Sequence, residues 1–285
     1  MTPVAEFVEP GIYPGLPSEV YHGIDACSAS RLKLLKKSPA HCKYAIENQD
    51  QKKTPALVLG SAVHCMVLEP ELFESRFVIK PTFGRTKAAL EEKAAWEAAN
   101  CNRDVIDADD YGLCCKLREL LTAHKLAGPI LRQKSDVEIS GLWIDSLTGI
   151  LCKLRADAVS DKLSLCVDLK TTEDASPRAF SKAIFDYGYH RQGAMYLDGW
   201  KALGRDYRHY CIIAVEKKPP YGIAVYRLAT DGKAISLGRR ENRALMNRYA
   251  ECLNASHWPS YPEIITDIEL PAWAERQIEE DYRHD

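Results

Sequence analysis

Residues 153–157, Lys-Leu-Arg-Ala-Asp, and residues 167–172, Val-Asp-Leu-Lys-Thr-Thr, decide the fold of this chain. Both stretches alternate polar and apolar residues, which predicts β-strands in which every second side chain points to the same face. Asp157 then lies on the polar face of one strand, and Asp168 and Lys170 lie on the polar face of the other. Carboxylate oxygens bind Mg²⁺ or Mn²⁺, and an ammonium group stabilises a phosphate oxygen. The two strands therefore predict a site that holds a divalent cation against a phosphate.

An exposed Asp-x-Lys sequence is also common at solvated sheet edges, and alone it would indicate no more than that. The second acidic strand directly upstream favours the site. The polar face of that upstream strand is expected to carry Lys153, Arg155 and Asp157. The residues in between are expected to face the core, namely Leu154, Ala156, Val167 and Leu169.

Turns and helix caps divide the rest of the chain into further elements. Strands are predicted at residues 134–147, 150–159, 164–171, 207–216 and 223–228. Helices are predicted at residues 28–48 (interrupted at Pro39), 56–73, 85–99, 107–126, 177–185, 190–203 and 230–255, with a short charged helix from Pro271. Only short turns join the first three strands, so they should form an antiparallel meander. This order predicts an α/β (α+β) fold with a mixed central sheet flanked by helices.

A single domain is expected across residues 1–285. Its predicted parts are an N-terminal arm and basic helix (1–53), a helical region that carries His64 (54–130), the catalytic sheet with its helices (131–258) and a C-terminal tail (259–285). Within the first part, residues 1–27 are expected to form an extended arm or short hairpin, and residues 51–53 a polar linker, because of their proline, glycine and polar content.

The composition is that of an ordinary globular protein, with 46% hydrophobic and 27% charged residues. No apolar run is long enough to span a membrane, and the N-terminus has neither a basic start nor an apolar stretch, so we expect a cytoplasmic protein without membrane association. The ten cysteines include no CxxC pair, which disfavours zinc and iron–sulfur sites. The formal net charge of −2 gives no overall attraction to nucleic acid, so DNA binding would require basic side chains concentrated on one surface.

The predicted helix at residues 28–48 is basic through Lys33, Lys36 and Lys37. A row of lysines on a helix usually indicates a solvated face. Contact with a DNA backbone is the alternative, because phosphates attract such a row.

Two further residues carry weaker signals. His64 lies on a strongly apolar helix, where a histidine is more often a satisfied core residue than a metal ligand. Glu138 lies on the first predicted strand of the meander, from which its side chain could point at the same site as Asp157.

Four short motifs follow one another along the chain: Gly60-Ser-Ala-Val-His64, Arg155-Ala-Asp157, Asp168-Leu-Lys170-Thr-Thr and Gln192-x-x-x-Tyr196. In this order they resemble the PD-(D/E)xK nucleases of the RecB-like branch, and more closely the RecE-like (exonuclease VIII) nuclease domains of phages and prophages. Each motif alone is weak, but the resemblance extends over most of the chain, from near Gly11 to near Trp258. It implies a restriction-endonuclease-like core, which agrees with the mixed sheet predicted above.

The resemblance implies roles for individual residues. Asp157 stands at the first acidic position of the motif, where Ala156 replaces the usual proline before it. The implied metal ligands are His64, Asp157, Asp168 and the backbone carbonyl of Leu169, with Glu138 as a further candidate. The implied catalytic residues are Asp157, Asp168, Lys170, Gln192 and Tyr196, of which the last two help to orient the lysine or the phosphate.

The resemblance also implies an activity. RecE-like enzymes degrade the 5′ strand of linear duplex DNA and leave 3′ single-stranded tails, using one or two Mg²⁺ ions, for which Mn²⁺ can substitute. The implied partners are double-stranded DNA ends, a RecT-like single-strand annealing protein and further copies of the chain in a ring. A ring would reconcile DNA binding with the net charge, because basic side chains would line its channel. The expected DNA-binding residues are Lys33, Lys36, Lys37, Arg155, Arg178, Lys182 and Arg191.

Three other functions stay open at this point. A catalytically inactive DNA-binding or assembly module would have the same fold, but the intact acidic residues and lysine argue against it. A structure-specific or restriction-type endonuclease would cut closed circular DNA. An iron–sulfur nuclease would need three cysteines near the C-terminus, whereas only Cys252 lies beyond Cys211.

Overall fold

The computed structural model describes residues 9–48 and 53–283. The strands, in chain order, are β1 (Gly11–Tyr13), β2 (Phe77–Ile79), β3 (Asp104–Ile106), β4 (Asp136–Ile144), β5 (Leu151–Ser160), β6 (Leu165–Thr172), β7 (His209–Glu216) and β8 (Ile223–Ala229). Six of them form one sheet in the order β1-β4-β5-β6-β7-β8, whereas β2 and β3 form a separate parallel pair.

Helices account for most of the remaining described chain. They are α1 (Ser18–Gly23), α2 (Ala29–Lys37), α3 (Pro39–Glu47), α4 (Pro55–Leu68), α5 (Phe73–Arg76), α6 (Lys87–Ala99), α7 (Ala108–Ala123), α8 (Ala127–Arg132), α9 (Pro177–Tyr187), α10 (Tyr189–Ala202), α11 (Lys233–Ala255) and α12 (Ala272–Asp281), with one 3₁₀ turn at Pro70–Leu72. Among the described residues, no helix combines the length and the apolar character needed to cross a membrane.

Neighbouring strands of the large sheet are antiparallel except β6 and β7, which are parallel. Parallel neighbours cannot be joined by a tight turn, and the chain between these two crosses over through α9 and α10. The predicted mixed sheet flanked by helices is therefore confirmed, and all five predicted strands occur. The three-residue strands β1, β2 and β3 were not predicted, because so short a stretch shows no period.

Helices cover both faces of the large sheet and give it two cores. On one face, α2, α10 and α11 pack over Leu154 and Ala156. On the other face, α4 and α7 pack over Val167 and Leu169. The four residues expected to face the core do so, but the two strands direct them into opposite cores.

Proline and serine explain where two predicted helices are divided. Ser38 is extended, with a φ of −169°, and its Oγ accepts a hydrogen bond from the N–H of His41 at 3.3 Å. It therefore ends α2 and caps α3, whose first residue, Pro39, has no N–H to satisfy. In the same way, Pro70 follows the end of α4 and starts the 3₁₀ turn, so the helix predicted at residues 56–73 is wrong beyond Leu68.

The N-terminal part differs from the prediction. Residues 18–23 form α1, where only an extended arm or hairpin was expected. Residues 1–8 and most of the linker predicted at 51–53 lie outside the described residues. The helix predicted from Pro271 is present as α12. The division of the chain into functional parts stays a prediction.

Lys153 explains why α1 forms and lies where it does. Its Nζ donates hydrogen bonds to the carbonyl oxygens of Tyr21 (2.8 Å) and Ile24 (2.7 Å), with His22 at 3.3 Å. The last carbonyls of a helix have no partner within the helix, so this ammonium satisfies them. Burial lowers the pKa of Lys153 to about 8. Lys153 was predicted to share a polar face with Asp157, and the structure instead covers that face with α1.

We expect Lys153→Met to lower the free energy of unfolding by about 1–3 kcal/mol, because the carbonyl groups of Tyr21 and His22 lose this donor, whereas that of Ile24 still accepts from the N–H of Ala26. Urea denaturation followed by circular dichroism measures this. The exposed Lys162→Met is the control and should stay within about 0.5 kcal/mol of the wild type. Equal stability of the two variants would contradict the capping role.

A bidentate ion pair joins α11 to the turn between β4 and β5. The guanidinium of Arg243 donates to both carboxylate oxygens of Asp145, at 2.9 and 2.8 Å. The hydrogen bonds from Arg243, opposed by partial burial and assisted by Thr148, lower the pKa of Asp145 to about 2. A carboxyl whose pKa is lowered by folding stabilises the folded state above its unfolded pKa, and this effect is lost as the pH falls through the folded pKa.

Asp145→Asn should therefore lower the free energy of unfolding by about 1–2 kcal/mol at neutral pH. The difference from the wild type should be constant above about pH 4 and should shrink as the pH approaches 2. Urea denaturation across this pH range tests the pair. A difference that does not depend on pH would show that the charge of Asp145 plays no part.

Candidate active site

The predicted carboxylates lie where the pairing of the central strands is interrupted. β4 and β5 are paired on both sides of Glu138 and Asp157, but these two residues face each other without joining the ladder. Glu138 has a φ of 45°, in the left-handed region that residues other than glycine seldom adopt. Ala156 and Ala158 pack into opposite cores, so the alternation of side chains shifts at Asp157.

The ladder between β5 and β6 ends at the same place. It joins residues 158–160 to residues 165–167, and Asp157 and Asp168 occupy the next facing positions. The N–H of Leu169 donates to Oδ2 of Asp157 at 2.7 Å. The two aspartates therefore lie on adjacent strands as predicted, and a side chain replaces the missing backbone bond.

Three potential metal ligands meet over this gap. A ring nitrogen of His64 and one carboxylate oxygen each from Glu138 and Asp157 lie within 4.8 Å of one another. Helix α4 supplies His64, whose Nδ1 is 3.4 Å from Oδ2 of Asp157. Two carboxylates and an imidazole fit a divalent cation, and the carboxylates favour Mg²⁺ or Mn²⁺. Glu138 therefore lies with His64 and Asp157, at the site toward which its side chain was expected to point.

Asp168 was predicted to be a direct metal ligand beside His64, and this role stays a prediction. Its side chain is 1% exposed and lies outside the three-residue group found among the described residues. Oδ1 accepts a hydrogen bond of 3.0 Å from Nε2 of Gln192, and Oδ2 is 2.7 Å from Nζ of Lys170. The buried carboxylate and the ammonium thus form a close ion pair.

The charges of this site depend strongly on one another. Burial opposes the charge of Lys170, but Asp168 and Asp157 outweigh it and raise the pKa of the lysine, which is therefore an ammonium. Burial and the charge of Asp168 raise the pKa of Asp157 to about 7. Burial, with Asp157, also raises the pKa of Glu138. Burial and Lys170 lower the pKa of His64. A cation would relieve the repulsion between the crowded carboxylates.

The remaining predicted residues contact the site through their neighbours. The backbone of Leu169 also lies beside the ring of His64. This contact raises the pKa of the ring, which is the effect expected of a carbonyl acceptor. Tyr196, one turn after Gln192 on α10, is 9% exposed and lies beside Gln192. Burial raises the pKa of Tyr196 well above its ordinary value. Tyr196 therefore supports Gln192, which in turn holds Asp168.

The predicted DNA-binding residues fall into two groups. Arg155 and Arg191 have partners inside the protein. Nε of Arg155 donates to Glu138 at 2.8 Å, and Arg191, which is 6% exposed, lies 3.5 Å from Glu241. The exposed group consists of Lys33, Lys36, Lys37, Arg178 and Lys182, of which Lys36 also pairs with Glu241 and Lys182 with Asp186. Arg155 therefore holds a candidate ligand, a role that the sequence did not suggest.

Sequence reasoning gave no role to Tyr189. Its ring centroid lies 5.3 Å from Nζ of Lys170, at the start of α10. Burial raises the pKa of Tyr189, against the opposing effect of Lys170. The signal in the sequence was the Tyr-x-Tyr-His run that directly precedes Gln192.

Comparison with known proteins places the chain in a family. Residues 28–270 match the family described as a PDDEXK-like domain of unknown function (DUF3799), and the chain belongs to that family. The comparison with curated proteins finds no match. The family agrees with the predicted PD-(D/E)xK resemblance, which is thereby confirmed.

Two solved structures are similar. A crystal structure from Eubacterium rectale, of a protein named provisionally as an exonuclease, is 13% identical, with a TM-score of 0.61 over 95% of this chain and 99% of that one. A second structure, SSO0001, is 15% identical, with a TM-score of 0.30 over 77% of this chain and 85% of that one. The first supports the fold.

We expect Glu138→Gln to weaken the binding of Mn²⁺ by about tenfold or more, because it removes one of the charged ligands while keeping the side-chain shape. Titration calorimetry with Mn²⁺ measures the affinity. The control is Glu119→Gln, which removes a carboxylate that is 71% exposed on α7. If both variants bind Mn²⁺ like the wild type, Glu138 is not a ligand.

Proposed function

We propose that this protein is a metal-dependent exodeoxyribonuclease that resects linear double-stranded DNA from the 5′ end and leaves 3′ single-stranded tails. One observation carries the proposal. The ammonium of Lys170, 2.7 Å from the buried Asp168, stands beside the His64, Glu138 and Asp157 group. A cation site next to a fixed ammonium can stabilise the charge that develops when a phosphodiester is hydrolysed.

His64, Glu138 and Asp157 would hold the divalent cation. When bound, such a cation supplies Lewis-acid stabilisation of the negative charge on a phosphoryl oxygen. Lys170 retains its proton and offsets the charge that develops on the phosphate or its attacking water. Asp168 fixes the ammonium, and therefore little reorganisation is needed when the phosphate arrives.

Gln192 extends this support to the helix layer. It donates to Oδ1 of Asp168 at 3.0 Å, on the oxygen that does not face Lys170. The carboxylate is thus held from both sides, and it cannot rotate away from the lysine without losing a hydrogen bond. Gln192 is therefore a positioning residue, and Tyr196 stands behind it.

The choice of substrate follows the RecE-like resemblance. Exposed lysines on α2 and α9 offer phosphate contacts that carry no base information, so cleavage should not depend on sequence. A ring of copies would concentrate these lysines around a channel despite the net charge of −2. A single-strand annealing protein would take up the 3′ tails that such a reaction leaves.

The test is digestion of linear duplex DNA labelled at its 5′ or 3′ end, in Mg²⁺, beside a covalently closed circle. We expect early release of the 5′ label and an intact circle. Lys170→Met should reduce the rate by about 10²-fold or more, since it removes the fixed charge at the phosphate, whereas Lys162→Met should have no effect. Circular dichroism confirms that both variants are folded.

Each other result has a definite meaning. Cutting of the circle would assign an endonuclease. Earlier release of the 3′ label would show that the enzyme degrades DNA from the 3′ end. No Mg²⁺-dependent cleavage by the wild type would indicate a binding or assembly module. Full activity of Lys170→Met would remove the lysine from the mechanism.

A further inference from the structure

Three aromatic rings lead from the candidate active site to the surface. Tyr189 lies 5.3 Å from Nζ of Lys170, and the ring of Tyr187 is stacked 5.6 Å from that of Tyr189 at an angle of 26°. Phe185 lies two residues before Tyr187 on α9, and its ring stacks on that of His190 with the centroids 6.1 Å apart. Tyr187 is 57% exposed and Phe185 is 64% exposed. We call Tyr189, Tyr187 and Phe185 the aromatic track.

Each exposed ring of the track has a lysine over it. From α2, Nζ of Lys33 lies 5.3 Å from the centroid of Tyr187, and Nζ of Lys36 lies 5.5 Å from that of Phe185. A single exposed aromatic residue needs no explanation, because much of any protein surface is apolar. Nζ of Lys36 also donates to Oε2 of Glu241 at 2.9 Å, so part of its charge is already paired. Two such rings beside a candidate catalytic lysine, each with an ammonium over it, form an apolar surface with cations at its edge.

The track continues into a groove. Beyond Phe185, a cavity of about 480 Å³ opens between α9, α10 and α11, and its lining includes Ile184, Leu237 and Arg240. Sites for small molecules usually have volumes of about 300–1,000 Å³, so a planar base can be accommodated there. The groove is mostly apolar and has both the guanidinium of Arg240 and the carboxylate of Glu241 at its wall.

We propose that the aromatic track binds single-stranded nucleic acid, with unpaired bases stacked on Tyr187 and Phe185 and phosphates at Lys33 and Lys36. Aromatic platforms beside cations are the means by which proteins hold single strands without reading their sequence. Paired bases inside a duplex have no free face to stack on these rings. The occupant is therefore a strand separated from its partner.

The inference deepens the proposed function and rests on it in one respect, that the strand on the track leads to the phosphate site at Lys170. A duplex end would have to separate over several nucleotides before cleavage. The track would hold the separated strand, and Gly188, with a φ of 75°, would set the angle between its helices α9 and α10. This angle places Tyr189 at the site and Tyr187 outside it.

The experiment measures binding rather than hydrolysis. A short fluorescein-labelled oligothymidylate is titrated with protein in EDTA and followed by fluorescence anisotropy, beside an abasic oligonucleotide of equal length. Tyr187→Leu and Phe185→Leu should each weaken oligothymidylate binding by about 5- to 100-fold. Tyr187→Phe keeps a stacking ring and should bind like the wild type. The abasic strand should bind weakly to all of them.

Tyr282→Leu is the matched control, because it removes a ring that is 67% exposed on the C-terminal side of α12. Its affinity should be unchanged. Equal binding of the abasic strand and oligothymidylate, or of Tyr187→Leu and the wild type, would overturn the proposal. The proposal would also be overturned if Tyr187→Leu changed the sedimentation coefficient of the protein but not its affinity for oligothymidylate. That result would show that the aromatic track joins copies of the chain.

The two proposals fail in different ways. If binding depends on stacking but no DNA is digested in Mg²⁺, the nuclease proposal is rejected and the proposal for the aromatic track stands. If DNA ends are digested but binding does not depend on stacking, the proposal for the aromatic track is rejected and the nuclease proposal stands.

Discussion

The burial of Asp168 is the constraint on which the site and much of the surrounding fold depend. A carboxylate that is 1% exposed requires partners, because removing its charge from water costs several kcal/mol. Lys170 comes from the same strand and Gln192 from the crossover helix, so β6 and α10 must lie in one relative position. The parallel pairing of β6 with β7 produces that crossover. The burial of Asp168 therefore links the topology of the sheet to the position of the Lys170 ammonium.

Alternation and motif order predicted the framework. The five longer strands, the mixed sheet and the PD-(D/E)xK family were all available from the sequence, because each depends on local periods or on the order of short motifs. The same reasoning failed at Glu138, where the backbone turns left-handed and Ala156 and Ala158 enter opposite cores. A period of two cannot reveal the residue at which it shifts.

The partners of charged residues were the other part that the sequence could not supply. Arg155 was predicted to contact DNA, which stays a prediction, and the sequence did not show that it also holds Glu138, 17 residues away along the chain. Asp168 was predicted to bind a metal, and the sequence did not show that it also pairs with Lys170. A charge pattern shows which groups need partners, but the strand register and the helix cover select the partner. Lys153 is the clearest case, because its polar face is covered by a helix that was not predicted.

The contacts of Lys153 also bear on the order in which the protein assembles. The carbonyl groups of Tyr21 and Ile24 precede their ammonium by 132 and 129 residues. Because synthesis begins at the N-terminus, β1 and α1 are synthesised long before β4 and β5, against which they pack. The first edge of the sheet therefore cannot close before β4 and β5 have been synthesised. Until then the nascent N-terminal region is without its final partners.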